Sequence, residues 1–304
     1  MRLNIADTII DFSGDLIPKG SRSINFGSDI SKRVSKFIYN GQRRADILIA
    51  VRVGKKTPQL GACQPLFSAY HVADASVSWQ MDSCKNRFVY RSNYRDKTHL
   101  IVINKSFDRA TVHLTGEIDD GPRCVFDIIY SFLQVLLLNY FAIRKSGVFV
   151  HAMGLKDPKG RGILFLGESG RGKTTLARIW HAHSKAAILN DDKMIIRRRG
   201  TKFMIYSSPW HGDFWDYLSS RETSAPLEKM FFIYHSAKNT PKEFSKQEAF
   251  RWLWPVIFFP FWNKQQAENI LSLCHGIVNE TSCSSLGFVN TREAVDAVMK
   301  TCNN

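Results

Sequence analysis

No two of the six cysteines, at 63, 84, 124, 274, 283 and 302, are spaced C-x-x-C. That spacing marks structural zinc sites, and thiols scattered so widely do not read as a small disulfide scaffold. Reduced thiols and a cytoplasmic location are expected. Internal repeats and low-complexity segments are also missing, so neither a solenoid nor a long disordered tail is expected. There is no acidic or basic tail: the net charge of +15 is spread over both halves of the 304 residues. Such a diffuse positive surface favours anions without selecting one, and no nucleic-acid motif accompanies it. The opening "MRLNIADTIIDFSGD" lacks the long apolar core of a secretory signal. One apolar segment, "VFDIIYSFLQVLLLNYFAI" at 125–143, falls short of the about 20 mostly apolar residues that cross a bilayer. It also carries Asp127, Gln134 and Asn139. A buried helix is expected there, with Arg144 and Lys145 in its last turn and Gly147 as a left-handed cap. No membrane and no nucleic-acid partner is expected.

What is present divides in two. Up to about residue 122, short β-branched and aromatic runs at 45–51, 87–92, 99–104 and 110–116 alternate with turn clusters such as "NGQR" and "DDGP". A β-rich amino-terminal lobe, 1–122, is expected, with a joint at Asp119 to Pro122. From 123 to 304 strands and helices mix, which makes the fold class α/β. "VFVHAMGL" reads as a strand ending near Gly154, "KDPKGRG" as a hairpin turn, and "ILFLG" as a buried strand. "KTTLARIWHAH" reads as a helix, "KAAILNDD" as a strand, and "KMIIRRRGTKFMIYSS" as two strands about Gly200. "MFFIYHS" is a further strand, and helices follow the capping patterns Ser245/Glu248 and Asn263/Gln266. "TREAVDAVM" is the last helix.

Gly167, Glu168, Ser169, Gly170, Arg171, Gly172, Lys173 and Thr174 satisfy G-x-x-x-x-G-K-[ST], between an apolar strand and a helix. Glycines let the backbone curl so that successive N–H groups converge on phosphate oxygens, and the helix adds the positive end of its dipole. Lys173 supplies a point charge for the β- and γ-phosphates, the Thr174 hydroxyl can ligate Mg²⁺, and Thr175 continues the nucleotide contact. ATP and Mg²⁺ are the expected cofactors. Asp191 and Asp192 close the next apolar strand, where the ligand crevice of an open sheet lies. Read alone, Asn-Asp-Asp fits a solvated turn as well as a pair dividing metal and proton work. His151, in mid-strand, fits a satisfied core residue as well as a catalytic one.

Together, "HAMG", "GILFLGESGRGKTT" and "AAILNDD" resemble the HPr kinase/phosphorylase-like family (the HPr serine kinase C-terminal domain), whose P-loop nucleotide fold is shared with ATP-dependent phosphoenolpyruvate carboxykinases. The resemblance is specific from about Val148 to Asp192. It implies a PEP-carboxykinase-like mixed sheet with helices, preceded here by the β-rich lobe. It also implies nucleotide binding by Gly167 to Thr175, a catalytic role for His151 and Lys173, metal at Thr174 and Asp191, and Asp192 as the base toward an acceptor serine. The family forms hexamers, which makes a homo-oligomer possible here. The chain departs from the family where an acidic EIRGxG-type signature is due. It reads "SSPWHGD" instead, leaving Asp213 as the only substitute acid, and no "RPGR"-type segment follows. "PWHGD" and "FPFW" are closer to divergent members in bacterial biosynthetic clusters that resemble peptide-tailoring kinases. Trp210, His211 and Gly212 would then border the acceptor.

The expected activity is therefore phosphorylation of a hydroxyl, a serine of a peptide or protein. The alternatives are a carboxykinase-like enzyme and a non-catalytic nucleotide-binding partner. His181 and His183 are two apart on a helix, so they point apart and do not chelate one metal. "IIRRRG" reads as a solvated charge run, and "AFRWLWPVIFFPFW" as core packing beside a surface groove, equally able to dock a peptide.

Overall fold

The computed structural model describes residues 1–15, 33–54, 58–70, 77–94, 97–115, 122–214, 218–219 and 223–303. The chain forms two compact units, Met1–Tyr140 and Phe141–Asn304, each with its own sheet, and the fold is mixed α/β.

The first unit holds an eight-stranded sheet in the order β1-β2-β3-β8-β7-β6-β5-β4. Its strands are β1 Arg2–Ile5, β2 Thr8–Gly14, β3 Ile47–Gly54 and β4 Cys63–Tyr70, then β5 Val77–Cys84, β6 Arg87–Tyr94, β7 Lys97–Asn104 and β8 Arg109–Thr115. The four expected strands correspond to β3, β6, β7 and β8. Two pairs were not anticipated. β1 and β2 turn tightly at Ala6 and Asp7, both at positive φ (50° and 59°), without the glycine that usually announces such a hairpin. β4 is an edge strand, bulged between Pro65 and Phe67, so its alternation is broken.

The β4–β5 register sets Cys63 directly opposite Cys84, with Cα atoms 4.3 Å apart, and the two are joined in a disulfide. This corrects the expectation of reduced thiols throughout: cross-strand pairing brought together two residues 21 apart that no sequence motif links. Cys274 and Cys283 are buried free thiols; burial pushes them up, to about 12 and about 11.

Helix α1, Pro122–Arg144, spans the division between the units, which falls at Tyr140/Phe141 rather than ahead of the helix. The reason is local: Phe132 is buried against Tyr90 of β6, their rings 5.4 Å apart, so most of the helix belongs with the first sheet. Of the expected joint, Asp119 to Gly121 lie outside the described residues. The helix end also differs from expectation. Lys145, not Gly147, takes the left-handed conformation (φ 50°). The Ser146 N–H reaches Phe141 O at 3.0 Å and the Lys145 N–H reaches Ala142 O at 3.3 Å, the paired bonds of a Schellman ending. Gly147 serves close approach instead, since a Cβ there would lie 2.8 Å from Arg197 Cγ.

The second unit's strands are β9 Val148–Lys156, β10 Gly162–Leu166, β11 Ala187–Asn190, β12 Lys193–Arg199, β13 Lys202–Tyr206, β14 Ser224–His235, β15 Thr240–Glu243, β16 Ile257–Phe258 and β17 Ser282–Phe288. Their order is β10-β9-β12-β13-β14-β17-β15, with β11 and β16 also on β9. β10 pairs antiparallel with β9 and parallel with β14, so the path returns on itself. The helices are α2 Lys173–His183, α3 Lys246–Leu253, α4 Lys264–Glu280 and α5 Glu293–Asn303. Strand alternation divides the core. Leu164, Leu166, Met230 and Phe232 face one cluster with α3 and α4. Ile163, Phe165, Phe231 and Ile233 face another with α2 and α5. Each such side chain, sealed from water, contributes about 1.5–3 kcal/mol. Ser245 and Glu248 form the anticipated capping box on α3, and the Asn263 side chain accepts the Gln266 N–H at α4. Among the described residues no helix is long and apolar enough to cross a membrane.

Candidate active site

The site is built where β10 and β11 hand the chain to loops, beside His151 in the middle of β9. β10 is buried throughout and ends at Leu166; the glycine loop follows, and α2 starts at Lys173. Gly172, the residue before α2, has φ 93°, and a Cβ there would lie 2.8 Å from the Phe288 ring, so the position requires glycine. No side chain caps α2. The helix thus presents its first amides to the loop, the arrangement that suits an anion. Lys173 is buried, and its ammonium donates to Gly167 O at 2.7 Å and Glu168 O at 3.0 Å, bracing the loop from beneath. Burial pulls its pKa down to about 8, against the opposing pull of Asp192 and Asp191. Arg171 pairs with Glu168 at 3.1 Å on the outside of the loop.

Two adjacent carboxylates at the end of β11 have different surroundings. Asp191 is buried and held by neutral donors: the Gly212 N–H at 2.8 Å, the Phe214 N–H at 3.2 Å and the Thr174 hydroxyl at 3.2 Å. Because Thr174 gives its proton to Asp191, its oxygen lone pairs remain available. Gly212 comes so close that a Cβ would lie 2.6 Å from Asp191 Oδ2. Asp192 is half-buried and bridges two bases, His151 Nε2 and Lys193 Nζ, each at 3.0 Å. Burial alone would raise its pKa; the hydrogen bond from His151 and the charge of Lys193 outweigh it, leaving the group at about 2.

One cleft of about 340 Å³ joins these groups. Its loop wall is Ser169, Gly170, Gly172, Lys173, Thr174 and Thr175; Asp191, Asp192, Asp213, Gly212 and His151 face it. Of the expected acceptor-side residues, Gly212 lines the cleft, whereas Trp210 and His211 are buried. The Trp210 ring packs edge-on against Phe149, 5.8 Å away.

Three contributors were missed. Asn190, fully buried, donates to Ser208 O at 2.9 Å and Trp210 O at 3.2 Å, and accepts the Asp192 N–H at 3.0 Å. It stitches the aspartate pair to the chain that delivers Gly212, and a polar residue ending an apolar strand was its only signal. Lys193, the first residue of β12, carries no motif in the sequence. His235 reaches Gly170 O with Nε2 at 3.1 Å.

No family model matches the chain, and no curated protein does. Among solved structures, the Hpr(Ser) kinase/phosphatase from Coxiella burnetii is similar at 10% identity and a TM-score of 0.30, over 50% of this chain and 95% of that one. So distant a likeness decides nothing about activity.

The donor set suits a small, hard cation bound together with phosphates. The Thr174 hydroxyl and the Asp191 carboxylate offer oxygen ligands 3.2 Å apart. Among the described residues no group of three or more His, Cys, Asp or Glu could hold a metal by itself. Mg²⁺ characteristically accepts one or two protein ligands and completes its shell with water and phosphate.

Proposed function

We propose that the chain is a Mg-ATP-dependent phosphotransferase acting on a hydroxyl, a serine of a peptide or protein, as a divergent HPr-kinase-like enzyme with a P-loop. The observation that carries this reading is the shared cleft: a buried lysine beneath a glycine loop, a hydroxyl–carboxylate pair, and a second carboxylate held in place by a histidine and a lysine.

Phosphoryl transfer asks little covalent chemistry of a protein, so positioning and charge stabilisation dominate. The loop amides and Lys173 hold the triphosphate and neutralise charge on the transferred group. Thr174 and Asp191 would hold Mg²⁺, which when bound supplies further neutralisation across the phosphates. Asp192 accepts the hydrogen bond of the incoming hydroxyl and orients its oxygen. A carboxylate with a pKa of about 2 is a weak base, which suits a loose transition state where the proton leaves late. His151 fixes the Asp192 carboxylate from the opposite side to Lys193.

The same low basicity favours a second reading, a nucleotide-binding partner without turnover. Incubation of the full chain with γ-labelled ATP, Mg²⁺ and a panel of serine peptides separates the two. Label on a peptide serine that vanishes in Lys173→Ala and in Asp192→Asn supports the kinase. ATP binding with no label on any peptide, and no hydrolysis, supports the partner.

A further inference from the structure

The glycine loop has a second side. Behind it lies a cavity of about 310 Å³, walled by Gly167, Glu168 and Arg171 of the loop and by Arg251, Trp252 and Pro255 beyond it. A larger cavity of about 500 Å³ opens between α3 and α4, lined by Lys246, Phe250, Arg251, Trp254, His275 and Val278. Both fall in the range of about 300–1,000 Å³ typical of ligand pockets. Arg251 lines both, so the two share one wall. Trp252 and Trp254 stay 39% and 43% exposed, although the sequence around them reads as core.

The charge is one-sided. In the two cavity walls the one carboxylate is Glu168, and it is already paired with Arg171. Glu248, three residues before Arg251, interacts with the Arg251 charge, but its carboxylate is turned to the cap, accepting from Ser245 N at 2.9 Å and Ser245 Oγ at 2.7 Å, and it lies outside both walls. Lys246 donates to Val278 O at 2.9 Å and Thr281 O at 3.2 Å, which fixes its positive charge in the wall. Concave, aromatic-lined cavities take up side chains, whereas a membrane surface calls for a projecting apolar face.

We infer that the two cavities form the docking groove for the acceptor, and that the acceptor is an extended anionic peptide. An aromatic side chain of the peptide enters the cavity between α3 and α4, its carboxylates meet Arg251, Lys246 and His275, and the chain leads along Trp252 toward the loop. This deepens the kinase reading and rests on it, because it names the class of substrate.

The test uses the full chain and fluorescein-labelled dodecapeptides, each with one serine: an acidic peptide with a tryptophan, its lysine counterpart, and the acidic peptide without the tryptophan. Fluorescence polarisation at low salt reads binding. The acidic, tryptophan-bearing peptide binds tightest, and Arg251→Glu and Trp254→Ala each weaken it by at least about tenfold. Arg251→Lys restores most of the affinity, which separates lost recognition from lost folding. ATP binding to the wild-type chain and to Arg251→Glu is read separately by calorimetry, so failure of the nucleotide reading is scored apart from failure of the docking groove. Equal binding of the lysine peptide, or an unchanged affinity in Arg251→Glu, overturns the proposal. So does a blue-shifted tryptophan emission on phosphatidylglycerol vesicles, lost in Trp254→Ala, with no peptide bound.

Discussion

Asp82 in the first unit and Asp191 in the second are both buried, and they are satisfied in different ways. In the first unit Asp82 accepts from Gln80 at 2.6 Å and from the Arg91 guanidinium at 2.7 Å, so its charge is cancelled by a neighbouring strand. In the second unit Asp191 is buried as deeply but is held by two main-chain amides and a hydroxyl, all neutral donors. A carboxylate in a low-dielectric setting needs partners either way. An arginine partner closes the account within the sheet and leaves a structural pair. Neutral donors leave the charge of Asp191 without an ion pair of its own, facing a cleft where Lys173 answers it in part and a bound cation could answer the rest. Burial alone therefore does not distinguish scaffold from site; the charge of the partners does.

The largest effect should come from Lys173→Ala. Removing the ammonium proposed to neutralise the transferred group should lower turnover by roughly 10³-fold, measured as label transfer from γ-labelled ATP. The same residue gives a pH signature. Its pKa is lowered to about 8, so burying the ammonium costs stability below pH 8, and that cost is relieved as pH rises toward the ordinary value. The proposed contact with the nucleotide's phosphates needs the protonated form. Affinity measured by calorimetry should fall above pH 8, by up to about tenfold per unit, and Lys173→Ala should flatten the profile.

Asp192→Asn should lower transfer by about 10²-fold or more while keeping nucleotide affinity. Loss of binding as well would make Asp192 a metal ligand and blur its difference from Asp191. Its depressed pKa also stabilises the fold above the ordinary carboxylate range, and that contribution is lost as pH falls from about 4 through about 2. The variant should lack about 2 kcal/mol of acid-sensitive stability, read from denaturant midpoints at pH 6 and pH 2.5.

Gly212→Ala tests whether Asp191 needs its neutral cradle. The added Cβ would press on Asp191 Oδ2, and the carboxylate must turn away from Thr174. Displacing a supporting contact of this kind weakens metal affinity by about 10–100-fold. The Mg²⁺ concentration for half-maximal activity should rise accordingly, and an unchanged value would detach Asp191 from metal.

The glycine loop, its strand and helix, and the aspartate pair were legible because adjacent residues encode them. Asn190 was not, because its partners Ser208 and Trp210 arrive from 18 and 20 residues away through two further strands. Trp210 was expected to border the acceptor, yet it is buried, its ring edge-on against Phe149 of β9, a contact made across 61 residues of sequence. The first unit was harder to read. Its β1–β2 turn uses Ala6 and Asp7 instead of a glycine, and the Cys63–Cys84 bridge depends on a register that only the folded sheet fixes. Replacing both cysteines by serine should cost about 3 kcal/mol, from the loop of 21 residues they close, with nucleotide affinity unchanged. A fluorescence melt with and without reductant reads the same difference.

The smallest effect, and the sharpest for the comparison, belongs to Asp82→Asn. The amide keeps the shape and one acceptor oxygen but leaves the Arg91 guanidinium, about one-third exposed, without its counter-charge. A hydrogen bond to a charged group contributes about 1.5–3 kcal/mol, and solvent reaching Arg91 puts the loss near the lower end. Thermal stability should fall by that amount, while ATP affinity and Mg²⁺ dependence stay at the wild-type values. Asp191→Asn differs in its second readout: one of the two accepting oxygens becomes an NH₂ set against a donor, so stability falls here too, but the Mg²⁺ requirement also rises. If both variants lost stability and neither changed Mg²⁺ dependence, Asp191 would be scaffold like Asp82, and the charge of the partners would carry no information about the site.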